Sequence, residues 1–148
     1  SFLSAFNTSV SGMTAQRQRV NTISENIANA ETTRTPQGGP YRRREVILAS
    51  VANDRTFEEE LLSQDRSVST STEVKVVGIV QDERPPILRF EPGHPDANEE
   101  GYVEMPNVNI MEEMVNLMSA NRSYEANTAA FNATKNMVQS ALDLGRNA

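Results

Sequence analysis

The strongest constraint in this sequence is that its apolar residues recur at helical spacing at both ends of the chain. From Phe2 to about Ala30 they are Leu3, Phe6, Val10, Met13, Val20, Ile23 and Ile27, a rhythm of threes and fours that puts them on one helical face. The first gaps alternate as a heptad does until Arg17 takes the seam position, so the stripe predicts a short coiled-coil seam. Ala5, Ser9, Gly12 and Ala15 lie among these residues and permit another helix to come close. A second stripe runs from Ile110 to about Leu144 through Met111, Met114, Leu117, Met118, Tyr124, Phe131, Met137, Val138, Ala141 and Leu142, with Gly145 expected to stop it. At about 1.5 Å per residue the two helices would be roughly 40 and 50 Å long, more than a compact single-core fold of this size accommodates.

Between the stripes the pattern changes. Thr32 to Pro40 combines β-branched residues, two prolines and a glycine pair, which predicts a linker. Tyr41 to Ser50, Glu73 to Asp82 and Ile87 to Glu91 are rich in Val and Ile and predict strands. Phe57 to Leu62 reads as one helical turn or a loop. Pro92 to Asn107 is predicted irregular, with Tyr102 to Met105 short enough to be an isolated strand. Asn107 or Asn109 is placed to cap the second helix, whose Glu112 and Glu113 suit the positive end of its dipole. The expected fold class is α+β: an axial helix over 1–31, a linker and small β-rich outer domain over 32–108, and a second axial helix over 109–148.

Composition narrows the function classes. A net charge of −6 repels phosphate backbones and anionic lipid, so neither nucleic acid nor direct membrane insertion is expected. No apolar run approaches a membrane span, and the first residues lack the basic and apolar regions of a secretory signal. The absence of Cys excludes disulfides and thiolate metal sites. With 37% hydrophobic residues, 5% aromatic residues and no Trp, the chain has less core material than an average domain, so neighbours are expected to supply part of the core.

The two stripes can satisfy each other as an intramolecular antiparallel hairpin, the arrangement of a soluble helical binding module. Asn121, Thr128 and Lys135 interrupt the second stripe, however, and Asn is abundant in both helices, at Asn7, Asn21, Asn26, Asn29, Asn116, Asn127, Asn132 and Asn136. Side chains that hydrogen-bond on several sides suit helices flanked by partners in a bundle wall. On that reading the assembly contacts are Leu3, Phe6, Val10, Met13, Val20, Ile27, Met114, Leu117, Met118, Tyr124, Phe131, Val138 and Leu142.

Three stretches resemble the flagellar axial protein family. Ser11-Gly12-Met13-Thr14-Ala15-Gln16 followed by Asn26-Ile27-Ala28-Asn29-Ala30-Glu31-Thr32 looks like the signature shared by flagellar rod and hook proteins. Pro92-Gly93-His94-Pro95-Asp96-Ala97-Asn98 with Gly101-Tyr102-Val103 and Pro106-Asn107-Val108-Asn109 is similar to basal-body rod members, as is Glu113-Met114 through Ala120-Asn121-Arg122-Ser123-Tyr124-Glu125-Ala126-Asn127. The resemblance covers roughly half the chain and leaves 51–72 without a motif. It implies a non-enzymatic, cofactor-free proximal-rod subunit that meets further copies of itself and other rod proteins. It further implies passage through the flagellar type III export apparatus without a cleaved signal, and a place in the periplasmic rod that transmits motor torque. Another rod or hook component of the same family is the alternative.

Sharper chemistry is poorly supported. His94 stands between prolines without a second His or a Cys and reads as a turn residue fixing its loop. Asp96 to Gly101 imitates the first half of a calcium loop, but Asn107 occupies the position that needs a bidentate Glu. Arg42-Arg43-Arg44 reads as a solvated strand edge or a salt-bridged subunit contact, with Glu45 as a local countercharge. Met111, Met114, Met118 and Met137 at helical spacing read as adaptable packing rather than a peptide groove. No nucleophile, base and orienter occur together in a recognisable context, so no enzyme activity is expected.

Overall fold

The computed structural model describes residues 2–52 and 72–146. The elements in order are α1 (Phe2–Ala28), β1 (Arg44–Ala52), β2 (Thr72–Gln81), β3 (Ile87–Phe90), β4 (Tyr102–Met105) and α2 (Ile110–Arg146). The architecture is α+β, with two long terminal helices and two small two-stranded sheets, β1 with β2 and β3 with β4. The turn or loop expected over Phe57 to Leu62 lies outside the described residues.

Three local expectations are corrected. Tyr102 to Met105 is not isolated but pairs antiparallel with β3, Ile87 opposite Met105 and Phe90 opposite Tyr102. The first strand begins at Arg44 rather than Tyr41, although the Arg43 carbonyl still accepts from the Asp82 amide at 2.8 Å, while the Tyr41 amide turns to the Thr32 carbonyl. Gly145 does not stop α2, which continues to Arg146; a glycine in a last turn costs about 1 kcal/mol, too little to break a 37-residue helix. Asn109 rather than Asn107 caps α2, its Oδ1 accepting from the amides of Met111 and Glu112 at 3.0 and 3.3 Å.

Two compact units can be distinguished. The first takes the described residues of 1–17, 48–77 and 122–148. In it α1 and α2 run antiparallel, since Phe6 meets Phe131 while Gly12 meets Asn127. The Phe6 and Phe131 rings stand edge to face at 4.9 Å. Close approach depends on small residues: Ser9, Gly12, Ala15 and Thr134 are buried, and a Cβ on Gly12 would lie 2.9 Å from the Asn127 amide. The start of β2 is tied to α1 by Thr8 Oγ1 donating to the Thr72 carbonyl at 2.8 Å and the Val74 amide donating to Ser11 Oγ at 3.1 Å.

The second unit takes 18–47 and 78–121. Alternation along β4 buries Val103 and Met105 and leaves Tyr102 and Glu104 outside. Gly101, at φ 83°, ends the β3–β4 connection, and a side chain there would crowd the Phe90 ring at 3.0 Å. Within that connection His94 Nδ1 accepts from the Asp96 amide at 3.1 Å, and Asn98 Oδ1 accepts from the amides of Glu100 and Tyr102.

Candidate assembly surface

The buried centre of the second unit is polar. Asn26, on the last turns of α1, has no exposed surface, and Glu113, in the first turns of α2, is 1% exposed. An Asn amide offers two donors and two acceptor positions, and here all four are used. Asn26 Nδ2 donates to the Arg44 carbonyl at 2.8 Å and to Glu113 Oε2 at 2.9 Å. Asn26 Oδ1 accepts from the Tyr41 hydroxyl and the Arg44 amide, both at 2.9 Å. The other Glu113 oxygen accepts from Arg43 Nε at 2.7 Å. One amide thus ties together the end of α1, the strap 41–44 and the start of α2.

The electrostatics follow from this enclosure. Burial pushes the Tyr41 hydroxyl above its ordinary value. Burial alone would draw the Arg43 guanidinium down, but the hydrogen bond and charge of Glu113 outweigh it and hold Arg43 above its ordinary value. Arg84 grips Asp82 through its side chain at 2.6 and 2.8 Å and through its backbone amide at 3.0 Å, which pulls the Asp82 carboxyl down to about 2. Arg43 therefore belongs to a largely enclosed intramolecular cluster with Glu113, and with Glu45 at 3.4 Å as the expected local countercharge, rather than to a solvated edge. Glu113 turns inward rather than facing water at the dipole end.

The residues of the family-like motifs hold the chain together locally. Gly12 forms the close helix contact of the first unit, where Met13 Sδ accepts from Thr128 Oγ1 at 3.3 Å, and Ser11 Oγ accepts from the Val74 amide of β2. Asn29 closes α1 by donating to the Glu25 carbonyl, and its Oδ1 accepts from Thr32 Oγ1. Asp96 accepts from Thr33 Oγ1 at 2.8 Å and pairs with Arg34 at 2.9 Å, so its oxygens are already engaged. Asn107 donates to the Pro85 carbonyl at 3.1 Å. Pro106 is buried, His94 is half-buried, and Pro92, Gly93, Pro95, Asn121 and Tyr124 are exposed.

The thirteen positions expected to make assembly contacts are found outside the core. Leu3, Val10, Met114, Met118, Tyr124 and Leu142 are exposed, while Phe6, Met13, Val20, Ile27, Leu117, Phe131 and Val138 are half-buried. The apolar core of the described residues consists of Ala15, Ile23, Ala30, Val103, Met105 and Ala120. Leu3 at 74% and Leu142 at 69% exposure show how far the large side chains of the long helices are left uncovered. Sequence reasoning placed Asn26 within a motif, read Arg43 as a strand edge or subunit contact and Glu113 as a complement to the helix dipole, and did not foresee that the three meet.

No group of three or more acidic or histidine side chains among the described residues is arranged to hold a metal. No helix among them is long and apolar enough to cross a membrane. A polar recess of about 140 Å³ lies beside Arg43, Asp82 and Arg84, and a wider, open one of about 370 Å³ lies beside Arg34, Pro40 and Asp96. The bonds of the Asn26 centre join elements of the chain, which is a mechanical role.

Comparison with known proteins points the same way. Residues 6–34 match the family described as flagella basal body rod protein, and residues 99–144 match the C-terminal family of the flagellar basal body rod FlgEFG proteins. The chain is 43% identical to the flagellar basal-body rod protein FlgC of Borreliella burgdorferi, over 94% of each chain. It is 45% identical to FlgC of Bacillus subtilis over 96% of this chain and 97% of that one. With FlgC of Escherichia coli O6:H1 it shares 38% identity over 97% and 98%. The small-residue helix contact, the Asn26 centre and the exposed apolar ridges are thus features of a chain that belongs to the FlgC family of flagellar basal-body rod proteins.

Proposed function

We propose that this chain is a structural subunit of the proximal flagellar rod, polymerising through its terminal helices into a shaft that carries motor torque across the periplasm. The observation that carries this reading is the inversion of side-chain size. Small and polar residues fill the interior, while Leu3, Val10, Met114, Met118 and Leu142 remain exposed. An isolated soluble domain gains nothing from so much uncovered apolar surface, and large exposed apolar side chains on helix faces suit contacts with a partner. Ridges of this sort interlock with those of neighbouring helices, and displacing a close-packed side chain opens voids, so a bundle built from them resists shear under load.

The partners on this reading are further copies of the chain and other rod proteins, reached after export by the flagellar type III apparatus. The role is mechanical rather than catalytic.

The test follows amide hydrogen exchange in the full chain, dilute and then assembled with the other rod subunits. Residues 2–30 and 110–146 are expected to exchange fast when dilute and to become protected in the assembly, because the neighbours complete their packing. Strong protection of both helices in the dilute monomer, unchanged on assembly, would contradict the proposal.

A further inference from the structure

The first turns of α2 carry an unusual surface. Met111, Met114 and Met118 stand three and four residues apart and share one helical face with Val115. All four are exposed, Met111 at 72% and Met118 at 62%. Three of the six methionines of the chain therefore lie within eight residues on one face. The nearby Glu113 does not shield them, because it is buried against Asn26 and Arg43. Met105, by contrast, is 6% exposed on the inner face of β4, and Met13 is half-buried with its sulfur accepting from Thr128.

We infer that Met111, Met114 and Met118 form a peroxide-sensitive modification site that decides whether a subunit can join the assembly. The reaction is two-electron oxygen transfer from a hydroperoxide. A thioether sulfur attacks one peroxide oxygen, the S–O bond forms and the O–O bond breaks. The departing hydroxide takes the proton left on the transferred oxygen, yielding a sulfoxide and water. Sulfur is oxidised by two electrons and the peroxide is reduced by two. Each event puts a strong hydrogen-bond acceptor among thioethers and a valine, and burying it without a donor costs its hydration. Because the three sulfurs share one face, their oxidations act on the same contact. Methionine sulfoxide reductases, one for each sulfoxide epimer, reverse the change.

This inference rests on the assembly reading, and the experiment separates their failures. The full chain is treated with dilute hydrogen peroxide and followed by peptide mass spectrometry. Met111, Met114 and Met118 are expected to oxidise at least about fivefold faster than Met105, in keeping with thioether exposure; equal rates would overturn the site. Treated chain is then added to the other rod subunits. A loss of incorporation that the two reductases restore supports the inference, and undiminished incorporation overturns it.

In cells lacking their own copy, the triple variant Met111→Gln, Met114→Gln, Met118→Gln is compared with the triple Leu variant, helicity of both being checked by circular dichroism. The Leu variant is expected to support motility and the Gln variant to incorporate at least about tenfold less, a loss of roughly 1.4 kcal/mol or more in contact free energy. Equal incorporation of the two, or failure of both, overturns the claim that added polarity is what matters. The assembly reading survives that outcome if Phe131→Ala still impairs incorporation, and falls separately if Phe131→Ala incorporates normally.

Discussion

Asn26 shows how one side chain can set the geometry of a chain with little core. Its four hydrogen bonds reach a backbone strap, a tyrosine hydroxyl and a buried carboxylate. Removing it strands the Arg44 amide and the Tyr41 hydroxyl, each of which then bears a desolvation cost of about 1–3 kcal/mol. Asn26→Ala is therefore expected to destabilise by about 3 kcal/mol, measured by urea unfolding. Asn26→Asp should be at least as damaging although isosteric, since it replaces the donor facing Glu113 by a second acceptor.

Glu113→Gln tests the ion pair, and a loss of about 1–3 kcal/mol is expected, because Arg43 loses its closest countercharge but keeps Glu45 at 3.4 Å and Asp82 at 3.9 Å. Asp82 makes a prediction in pH. Its folded pKa of about 2 lies below the ordinary 3.8, so its bonds to Arg84 stabilise the fold above about pH 4. That contribution is lost as pH falls through about 2, and solvent exposure keeps it small. The side-chain carboxyl resonance of Asp82 should titrate with a midpoint near 2; one near 3.8 would show that the Arg84 grip is absent in solution.

At the scale of elements, the contact between α1 and α2 in the first unit is narrow. Gly12 lets the backbones approach and Phe6 meets Phe131 edge to face, yet both rings remain half-buried. Truncating either ring to Ala in the free chain should therefore cost about 1–2 kcal/mol, below the 3–5 typical of a fully buried aromatic. A double-mutant cycle should show a coupling of about 0.5–1.5 kcal/mol; additive losses would mean the rings do not touch in solution.

The helices themselves were legible, because the three-and-four rhythm of Leu3, Phe6, Val10 and Met13, and of Met114, Leu117 and Met118, is a local property of the chain. The capping role of Asn109 was legible as one of two candidates for the same reason. The pairing of β4 with β3 was not, since four residues carry too little pattern to announce a partner across an irregular connection of eleven residues. Gly145 misled because a local stop signal near the end of a long helix costs only one weak turn.

At the scale of the whole molecule, apolar periodicity revealed where helices form but not what covers them. The stripe residues fit a hairpin core and an intermolecular surface equally well. The interior is marked instead by small and polar residues such as Ser9, Ala15, Thr22, Asn26 and Glu113, which no hydrophobic pattern singles out. The pairing of Arg43 with Glu113 escaped notice because it joins residues 70 positions apart, and charge signs alone do not specify such a partner. The resemblance of the terminal motifs supplied the identity that periodicity could not. The motif residues prove to be close contacts, turns and caps that fix where the ridges stand.

The central claim is that Leu3, Val10, Met114, Met118 and Leu142 are exposed in one chain because neighbouring subunits cover them. An image of the native rod at side-chain detail tests it most directly. The account predicts that each of these side chains lies within about 4–4.5 Å of apolar atoms from an adjoining subunit. Finding them against water, with the joints made by β1 to β4 instead, would contradict it.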